Sequence, residues 1–230
     1  MEHADLVQRF IDATYPRASI AIVAGSTARG ERTRTSDIDL LLLGEELFET
    51  ESQTSEAATH EFDGEIIEVF AYTGEGFREW AERGIAQHRP VILHMLVEGT
   101  VIRDAGCSPA LRAYWGAILD AGPTLDATES AFRRYVITDV LDDLRDATDP
   151  LEQHVLASVL FERIAELMLL TESRWIATGK WLPRRLRALS ADRADALSAP
   201  LIAGDIFAFS ERVEHELDRA GGRVQAGFTR

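Results

Sequence analysis

Gly25-Ser26-Thr27-Ala28-Arg29-Gly30 and, after a short loop, Ser36-Asp37-Ile38-Asp39-Leu40 form the most informative part of this chain. Apolar runs flank both segments: SIAIVA covers residues 19–24 and DIDLLLL covers residues 37–43. Runs of this length and composition are typical of buried strands. Gly25 breaks the first run, and a short helix is predicted from Ser26. The sequence therefore predicts strand, turn, short helix and second strand, with polar side chains gathered at the joins.

The turn after the first strand has the properties of an anion site. Gly25 has no side chain, so a phosphate can approach its backbone closely. Ser26 opens the predicted helix, where free backbone N–H groups and the helix dipole favour an anion. The Ser26 hydroxyl adds one more donor. Both residues are therefore predicted to contact phosphate.

The second strand carries two aspartates at its start. Asp37 and Asp39 are two residues apart, so on a strand both carboxylates leave the same face. Two carboxylates this close raise each other's pKa unless a cation lies between them. Carboxylate oxygens suit Mg²⁺, which binds through one or two carboxylates together with substrate phosphates. An anion site beside a Mg²⁺ site is what nucleoside triphosphate chemistry requires.

The GSTARG–SDIDL arrangement resembles, in residue type and spacing, the signature of the polymerase-β-type nucleotidyltransferases. The resemblance implies that one or two Mg²⁺ ions assist the transfer of a nucleoside monophosphate from ATP, or another triphosphate, to an acceptor hydroxyl. It also implies a third carboxylate on a later strand. Glu68 is the candidate, because it lies between Ile67 and Val69 in the predicted strand 65–72. Asp37, Asp39 and Glu68 are thus the expected catalytic and metal-binding residues.

After Ser108 the sequence pattern becomes helical throughout. The predicted fold class is α+β, with an N-terminal nucleotidyltransferase α/β domain containing a mixed sheet, followed by an all-α helical bundle. We place the catalytic domain at residues 1–107, the helical domain at 108–220 and a flexible tail at 221–230. Strands are predicted over residues 19–24, 37–43, 65–72 and 100–103. Helices are predicted over residues 3–14, 45–58, 75–85, 88–97, 109–121, 126–147, 150–177, 182–190 and 204–220.

The helical half is similar in layout to the C-terminal domain of small-molecule adenylyltransferases, notably those that modify aminoglycosides such as streptomycin. In those enzymes this domain closes over the nucleotide and offers a lysine or arginine to the phosphates. The segment from Trp175 to Leu182 looks similar to the corresponding region. The resemblance implies phosphate contacts from Lys180, the chain's single lysine, and from Arg163. It also implies an aminoglycoside-like antibiotic as the leading acceptor, and hence a role in antibiotic resistance.

Composition limits the partners. A net charge of −15 disfavours nucleic acid as a partner and tolerates a cationic ligand. No apolar run approaches the roughly 18 residues of a membrane helix, the N-terminus lacks a signal-peptide pattern, and Cys107 is the only cysteine. We therefore expect a cytoplasmic enzyme without a membrane partner. A cluster of aspartates on a predicted helix, called the acidic face below, is either solvated or receives a cationic substrate: Asp139, Asp142 and Asp143.

Other interpretations remain open at this point. The chain could nucleotidylate a protein, as enzymes of toxin–antitoxin pairs do, extend a tRNA or poly(A) end, or bind nucleotides as a non-catalytic regulatory module. Individual residues also have purely structural explanations. Glu68 could be an exposed strand residue, Ser26 a simple helix cap and Lys180 a helix-end lysine. Arg29 and Arg32 are expected on the surface, with Thr27 and Ser36 as secondary contacts.

Overall fold

The apolar runs of the N-terminal half form one sheet. A computed structural model describes residues 3–225 of the chain. Within that range the strands are β1 (Ile20–Val23), β2 (Ile38–Leu43), β3 (Ser55–Phe62), β4 (Glu65–Tyr72) and β5 (Thr100–Asp104). Their order across the sheet is β3-β4-β2-β1-β5. Only β2 and β4 pair in parallel, and the other neighbours are antiparallel. The prediction of a mixed sheet is confirmed.

Helices cover both faces of this sheet. They are α1 (Ala4–Thr14), α2 (Gly25–Arg29), α3 (Gly74–Ala86), α4 (Val91–Glu98) and α5 (Ser108–Ala121). On one face, Phe10 of α1 packs in a cluster with Leu40 and Ile67. On the other face, Leu41 of β2 joins a cluster contributed largely by α3, α4 and α5. Because side chains alternate along a strand, Asp39 and Glu68 point to the same face as Leu41.

The chain divides into two compact units, Met1–Ala121 and Gly122–Arg230. The first unit therefore extends past the boundary predicted at residue 107 by the whole of α5. The reason is apolar packing: Trp115 of α5 is buried, and its ring lies 5.9 Å from that of Phe77 in an edge-on arrangement. Burial of an aromatic pair of this kind binds a helix to the core that it covers.

The second unit is helical over its described residues. Its helices are α6 (Ala127–Asp146), α7 (Pro150–Thr171), α8 (Trp181–Leu189), α9 (Ala191–Ile202) and α10 (Ile206–Arg219). Their buried side chains form one cluster centred on α7, with Leu160, Ile164 and Leu167 fully enclosed. The α+β class is confirmed. None of the helices in residues 3–225 has both the length and the apolar composition that a bilayer span needs.

One predicted helix is wrong. Residues 45–58 form turns followed by β3, which pairs antiparallel with the whole of β4. The connecting residues Asp63 and Gly64 both have positive φ, 51° and 80°, as a tight two-residue hairpin turn requires. Alanine and glutamate favour a helix when isolated, but pairing with a buried strand outweighs that preference.

The second unit shows two further differences from the prediction. Helix α7 ends at Thr171, whereas the prediction extended it to residue 177. Just after Thr171, Ser173 adopts φ 53° and Arg174 N–H donates to the Leu169 carbonyl, which closes the helix. Helix α9 was not predicted. It is capped by Ser190, whose side chain accepts from Arg193 N–H, and it contains Pro200 within its last turn.

The last described residues lie against α6. We expected a flexible tail over residues 221–230. The carbonyls of Gly221 and Gly222 accept hydrogen bonds from Arg134, and Val224 N–H donates to the Thr138 hydroxyl. Residues 221–225 therefore have defined partners, whereas residues 226–230 lie outside the described part of the chain.

Candidate active site

The turn at Gly25 is built around the carboxylate of Asp39. Gly25 has φ 64°, a conformation that L side chains rarely adopt. A Cβ atom added to Gly25 would lie 1.7 Å from Oδ2 of Asp39. The Asp39 carbonyl also accepts from Ala24 N–H at 2.8 Å. Glycine is thus required here for two reasons: the backbone conformation, and the space that the carboxylate occupies.

Asp39 and Glu68 are direct neighbours across the sheet. They are paired positions in the parallel register of β2 and β4, and both are half-buried. Asp37 lies just before β2. Burial raises the pKa of Glu68, and the negative charges of Asp37 and Asp39 raise it further. The structure therefore brings the three predicted carboxylates within electrostatic reach of one another.

The carboxylates do not form a ready-made coordination shell. Within residues 3–225, no group of three or more His, Cys, Asp or Glu side chains is arranged to hold a metal ion. Coordination bonds to Mg²⁺ are only about 2.0–2.1 Å long, whereas charges influence one another over longer distances. The two aspartates can therefore raise the Glu68 pKa without forming a coordination shell with it. The donor atoms fit a hard divalent cation, and its charge would relieve the repulsion that raises the Glu68 pKa.

The predicted phosphate contacts lie at the edge of this group. Ser26 is the second residue of α2 rather than its cap, which is Ala24. Because α2 has only five residues, its dipole is weak and the local N–H and hydroxyl donors matter more. The Thr27 hydroxyl donates to the Asp37 carbonyl at 3.3 Å. Thr27 thus connects α2 to the backbone of Asp37, and Ser26 lies between Gly25 and Thr27 in the chain.

Arg32 contributes to the site in a way that the sequence did not suggest. It was expected on the surface, yet its side chain is only 20% exposed. Its guanidinium donates to the Ser36 carbonyl at 2.9 Å, pairs with the Glu65 carboxylate and lies 2.9 Å from His3 Nε2. The hydrogen bond and charge of Arg32 lower the pKa of Glu65. Its one sequence signal was its place in the loop leading to Asp37.

The predicted cations of the second unit lie at exposed positions. Arg163 is on α7, with its side chain 54% exposed and a nitrogen 3.8 Å from Glu166. Lys180 is exposed and occupies the cap position before α8, where its side chain makes no capping hydrogen bond. Lys180 therefore precedes a helix, and the explanation as a lysine at a helix C-terminus is wrong.

The three aspartates of the acidic face differ in whether another side chain of the chain contacts them. Asp142 pairs with Arg223 and accepts from Gln225 at 2.9 Å, so its charge is partly neutralised within the chain. Asp139 and Asp143 are exposed on the same helix, α6. Any attraction for a cationic molecule would come mainly from these two residues.

Comparisons with known proteins agree with the class that the site suggests. Residues 7–84 match the family described as "Nucleotidyltransferase domain", and the match includes Gly25, Ser26 and all three carboxylates. A solved structure of a nucleotidyltransferase-like protein from Exiguobacterium sibiricum 255-15 is similar in fold, with a TM-score of 0.50 and 14% identity. The similarity covers 95% of this chain and 75% of that chain. No curated protein matches the sequence.

Residues 7–84 of the first unit therefore match a nucleotidyltransferase domain. This match supports nucleotidyl transfer as the general chemistry and a nucleotide as the substrate. The similarity to the solved structure concerns the fold alone, and it extends through both units.

Proposed function

We propose that this protein is a Mg²⁺-dependent adenylyltransferase, which moves AMP from ATP onto a hydroxyl group of a small molecule. One observation carries the proposal. The Asp39 carboxylate occupies the space beside the Gly25 backbone and lies next to Glu68 on the neighbouring parallel strand. The carboxylates thus lie beside the glycine turn, where a divalent cation between them and a bound triphosphate would offset the repulsion between like charges.

The binding roles follow from the position of each group. Gly25 and Ser26 contact the β- and γ-phosphates through backbone N–H groups and the serine hydroxyl. Asp37, Asp39 and Glu68 would hold one or two Mg²⁺ ions. When bound, Mg²⁺ neutralises phosphate charge and orients the triphosphate. The resemblance to small-molecule adenylyltransferases adds Arg163 and Lys180, both exposed, as the proposed cationic contacts to the phosphates.

Glu68 acts as the general base. The acceptor hydroxyl gives its proton to the Glu68 carboxylate while its oxygen forms a bond to the α-phosphorus. The bond from that phosphorus to the bridging oxygen breaks, and pyrophosphate leaves with the electron pair. In the metal-free chain, burial raises the pKa of Glu68, and the charges of Asp37 and Asp39 raise it further. Bound Mg²⁺ would offset the contribution of the two aspartates, and the effect of burial would continue to favour proton uptake by the carboxylate.

The proposed acceptor is a polar amine of the aminoglycoside type. An acceptor with several positive charges would be drawn to an acidic protein of net charge −15 and to exposed Asp139 and Asp143. This choice follows from the similarity to aminoglycoside-modifying enzymes described above. The same field disfavours tRNA and poly(A) ends as acceptors.

The test is incubation of the protein with each nucleoside triphosphate, Mg²⁺ and a panel of aminoglycosides, followed by mass spectrometry. The expected product is one antibiotic carrying one AMP, formed only with ATP and only with metal. Modification of a protein instead of an antibiotic would favour the toxin–antitoxin type of enzyme. Nucleotide binding without any product would favour a regulatory module and contradict the proposal.

A further inference from the structure

Asp37 differs from the other two carboxylates in how its backbone is held. The ladder between β2 and β4 begins at the pair Ile38 and Ile67, so Asp39 and Glu68 lie inside it. Asp37 lies one residue outside that first pair. Its position therefore depends on contacts other than the strand ladder.

Two side chains fix the peptide groups on either side of Asp37. The carbonyl before it, that of Ser36, accepts from Arg32 at 2.9 Å. The carbonyl of Asp37 itself accepts from the Thr27 hydroxyl at 3.3 Å. Together these two hydrogen bonds restrain the backbone torsions of Asp37, and the torsions determine where its carboxylate points.

Arg32 is in turn anchored to the strand that carries the third carboxylate. Its guanidinium pairs with Glu65, the first residue of β4, and Glu68 lies three residues further along that strand. Arg32 also contacts His3. A planar guanidinium can meet several acceptors in one fixed arrangement, which a lysine ammonium cannot reproduce. Arg32 thus connects the Ser36–Asp37 peptide to the strand of Glu68.

We propose that Arg32 is a positioning residue for the metal site: it sets Asp37 against Asp39 and Glu68, so that the affinity for a divalent cation depends on a side chain that does not itself bind the cation. The proposal rests on the function proposed above. Groups that orient metal ligands affect metal affinity by about 10- to 100-fold when they are lost. Thr27 supports the same aspartate through one longer hydrogen bond, so its contribution is smaller.

The sign of the effect separates positioning from simple electrostatics. Arg32 is a cation near a cation site, so Coulomb repulsion alone would make its removal strengthen metal binding. Loss of positioning would weaken it instead. The experiment measures Mn²⁺ binding to the full chain by electron paramagnetic resonance, without nucleotide and with a non-hydrolysable ATP analogue, together with thermal melting. The variants are Arg32→Gln, Arg32→Lys and Thr27→Val, with Asp39→Asn as the loss reference.

Arg9→Gln is the matched control, because it removes the same charge from a pair with Asp63 in which both side chains are more than half exposed. We expect Arg32→Gln to weaken Mn²⁺ binding by about tenfold or more. Arg32→Lys and Thr27→Val should weaken it less, and Arg9→Gln should leave it unchanged. If Arg32→Gln fails to fold, Mn²⁺ binding to Arg32→Lys and Thr27→Val provides the test.

Unchanged or stronger Mn²⁺ binding in the folded Arg32 variants, with binding lost in Asp39→Asn, would overturn the role of Arg32 and leave the proposed function intact. An equal loss in Arg9→Gln would also overturn it, since the effect would not be specific to the Asp37 loop. If the parent binds no Mn²⁺, or Asp39→Asn binds it equally well, the metal site itself is contradicted, and the role of Arg32 with it.

Discussion

The two units of this protein differ in how firmly a sequence pattern fixes the place of a side chain. In the first unit, strand register makes Asp39 and Glu68 neighbours although 28 residues separate them in the sequence. In the second unit, Arg163 and Lys180 lie at exposed positions on and before different helices. A strand residue has cross-strand neighbours fixed by the register and its side chain leaves one face, whereas an exposed cation on a helix has many available positions.

This difference leads to an ordering of effects. Substitutions in the strand-borne carboxylate group of the first unit should change the chemical step, because the strand register holds these side chains in fixed positions. Substitutions among the exposed charges of the second unit should change binding by smaller factors, because solvent screens those charges. The predictions below follow that order.

Glu68→Gln should have the largest effect. Loss of the base should slow the chemical step by roughly 10²- to 10⁴-fold, with nucleotide affinity almost unchanged, as measured in single-turnover reactions. In the metal-free protein the same change should raise stability. The folded-state pKa of Glu68 is raised, so ionised Glu68 destabilises the fold once the pH exceeds the unfolded value of about 4.3.

Glu68→Gln should therefore melt at a higher temperature than the parent at about pH 7 and at the same temperature at about pH 3, where both side chains are neutral. Equal turnover of the two proteins would show that Glu68 is only a strand residue. Equal melting at both pH values would show that neither burial nor the charges of Asp37 and Asp39 destabilise ionised Glu68.

Gly25→Ala should displace the Asp39 carboxylate and reduce turnover by about 10²-fold, the scale for losing one preorganised electrostatic group. The matched control is Gly30→Ala. Gly30 has φ 70°, close to the 64° of Gly25, but a Cβ there would meet nothing within 4 Å. Both variants should lose about 1–2 kcal/mol from the left-handed backbone. Similar turnover in the two variants would remove the special role of Gly25.

Lys180→Ala should weaken triphosphate binding by about tenfold and monophosphate binding much less, as for one lost charged hydrogen bond. Lys180→Arg should bind triphosphate more tightly than Lys180→Ala but more weakly than the parent, because the guanidinium is wider than an ammonium. Titration of both nucleotides with Mg²⁺ present checks this, with exposed Arg187→Ala of α8 as the control. Parental affinity in both Lys180 variants would direct attention to Arg163.

Asp143→Asn should have the smallest effect, a rise of about two- to threefold in KM for a cationic acceptor that disappears at high salt. Asp142→Asn should change KM even less, because Arg223 already pairs with that carboxylate. The KM for the nucleotide should not move in either variant. A larger rise in acceptor KM for Asp142→Asn than for Asp143→Asn would contradict the idea that Arg223 partly neutralises Asp142.

The sequence predicted those parts of the fold in which local pattern and tertiary environment agree. The apolar runs that form β1 and β2 are buried, and β4 buries one face. Asp37 and Asp39 are identified by their spacing after the glycine-serine turn, and Glu68 by its place between two apolar residues. Strand β3 was missed because its alanines and glutamates favour a helix. The dipeptide Asp63-Gly64, a strong hairpin signal directly before β4, would have indicated a strand at this position.

Arg32 could not have been found from the sequence. Nothing in its immediate neighbours distinguishes it from Arg29 or Arg34, and its importance arises from contacts with Glu65 and His3, which are distant in the sequence. In the same way, Asp142 could not be separated from Asp143 until Arg223 was placed beside it. Long-range pairing of charged side chains is set by the tertiary fold rather than by local pattern.

The most direct test of the carboxylate site compares pyrophosphate release from ATP, with Mg²⁺ and the identified acceptor, in the parent, Asp39→Asn and Asp63→Asn. Asp63 is an exposed aspartate of the hairpin turn, and asparagine tolerates its positive φ. Asp39→Asn should keep the fold and lose roughly 10²-fold or more in rate, while Asp63→Asn should match the parent. A near-normal rate in folded Asp39→Asn would contradict the assignment of this site.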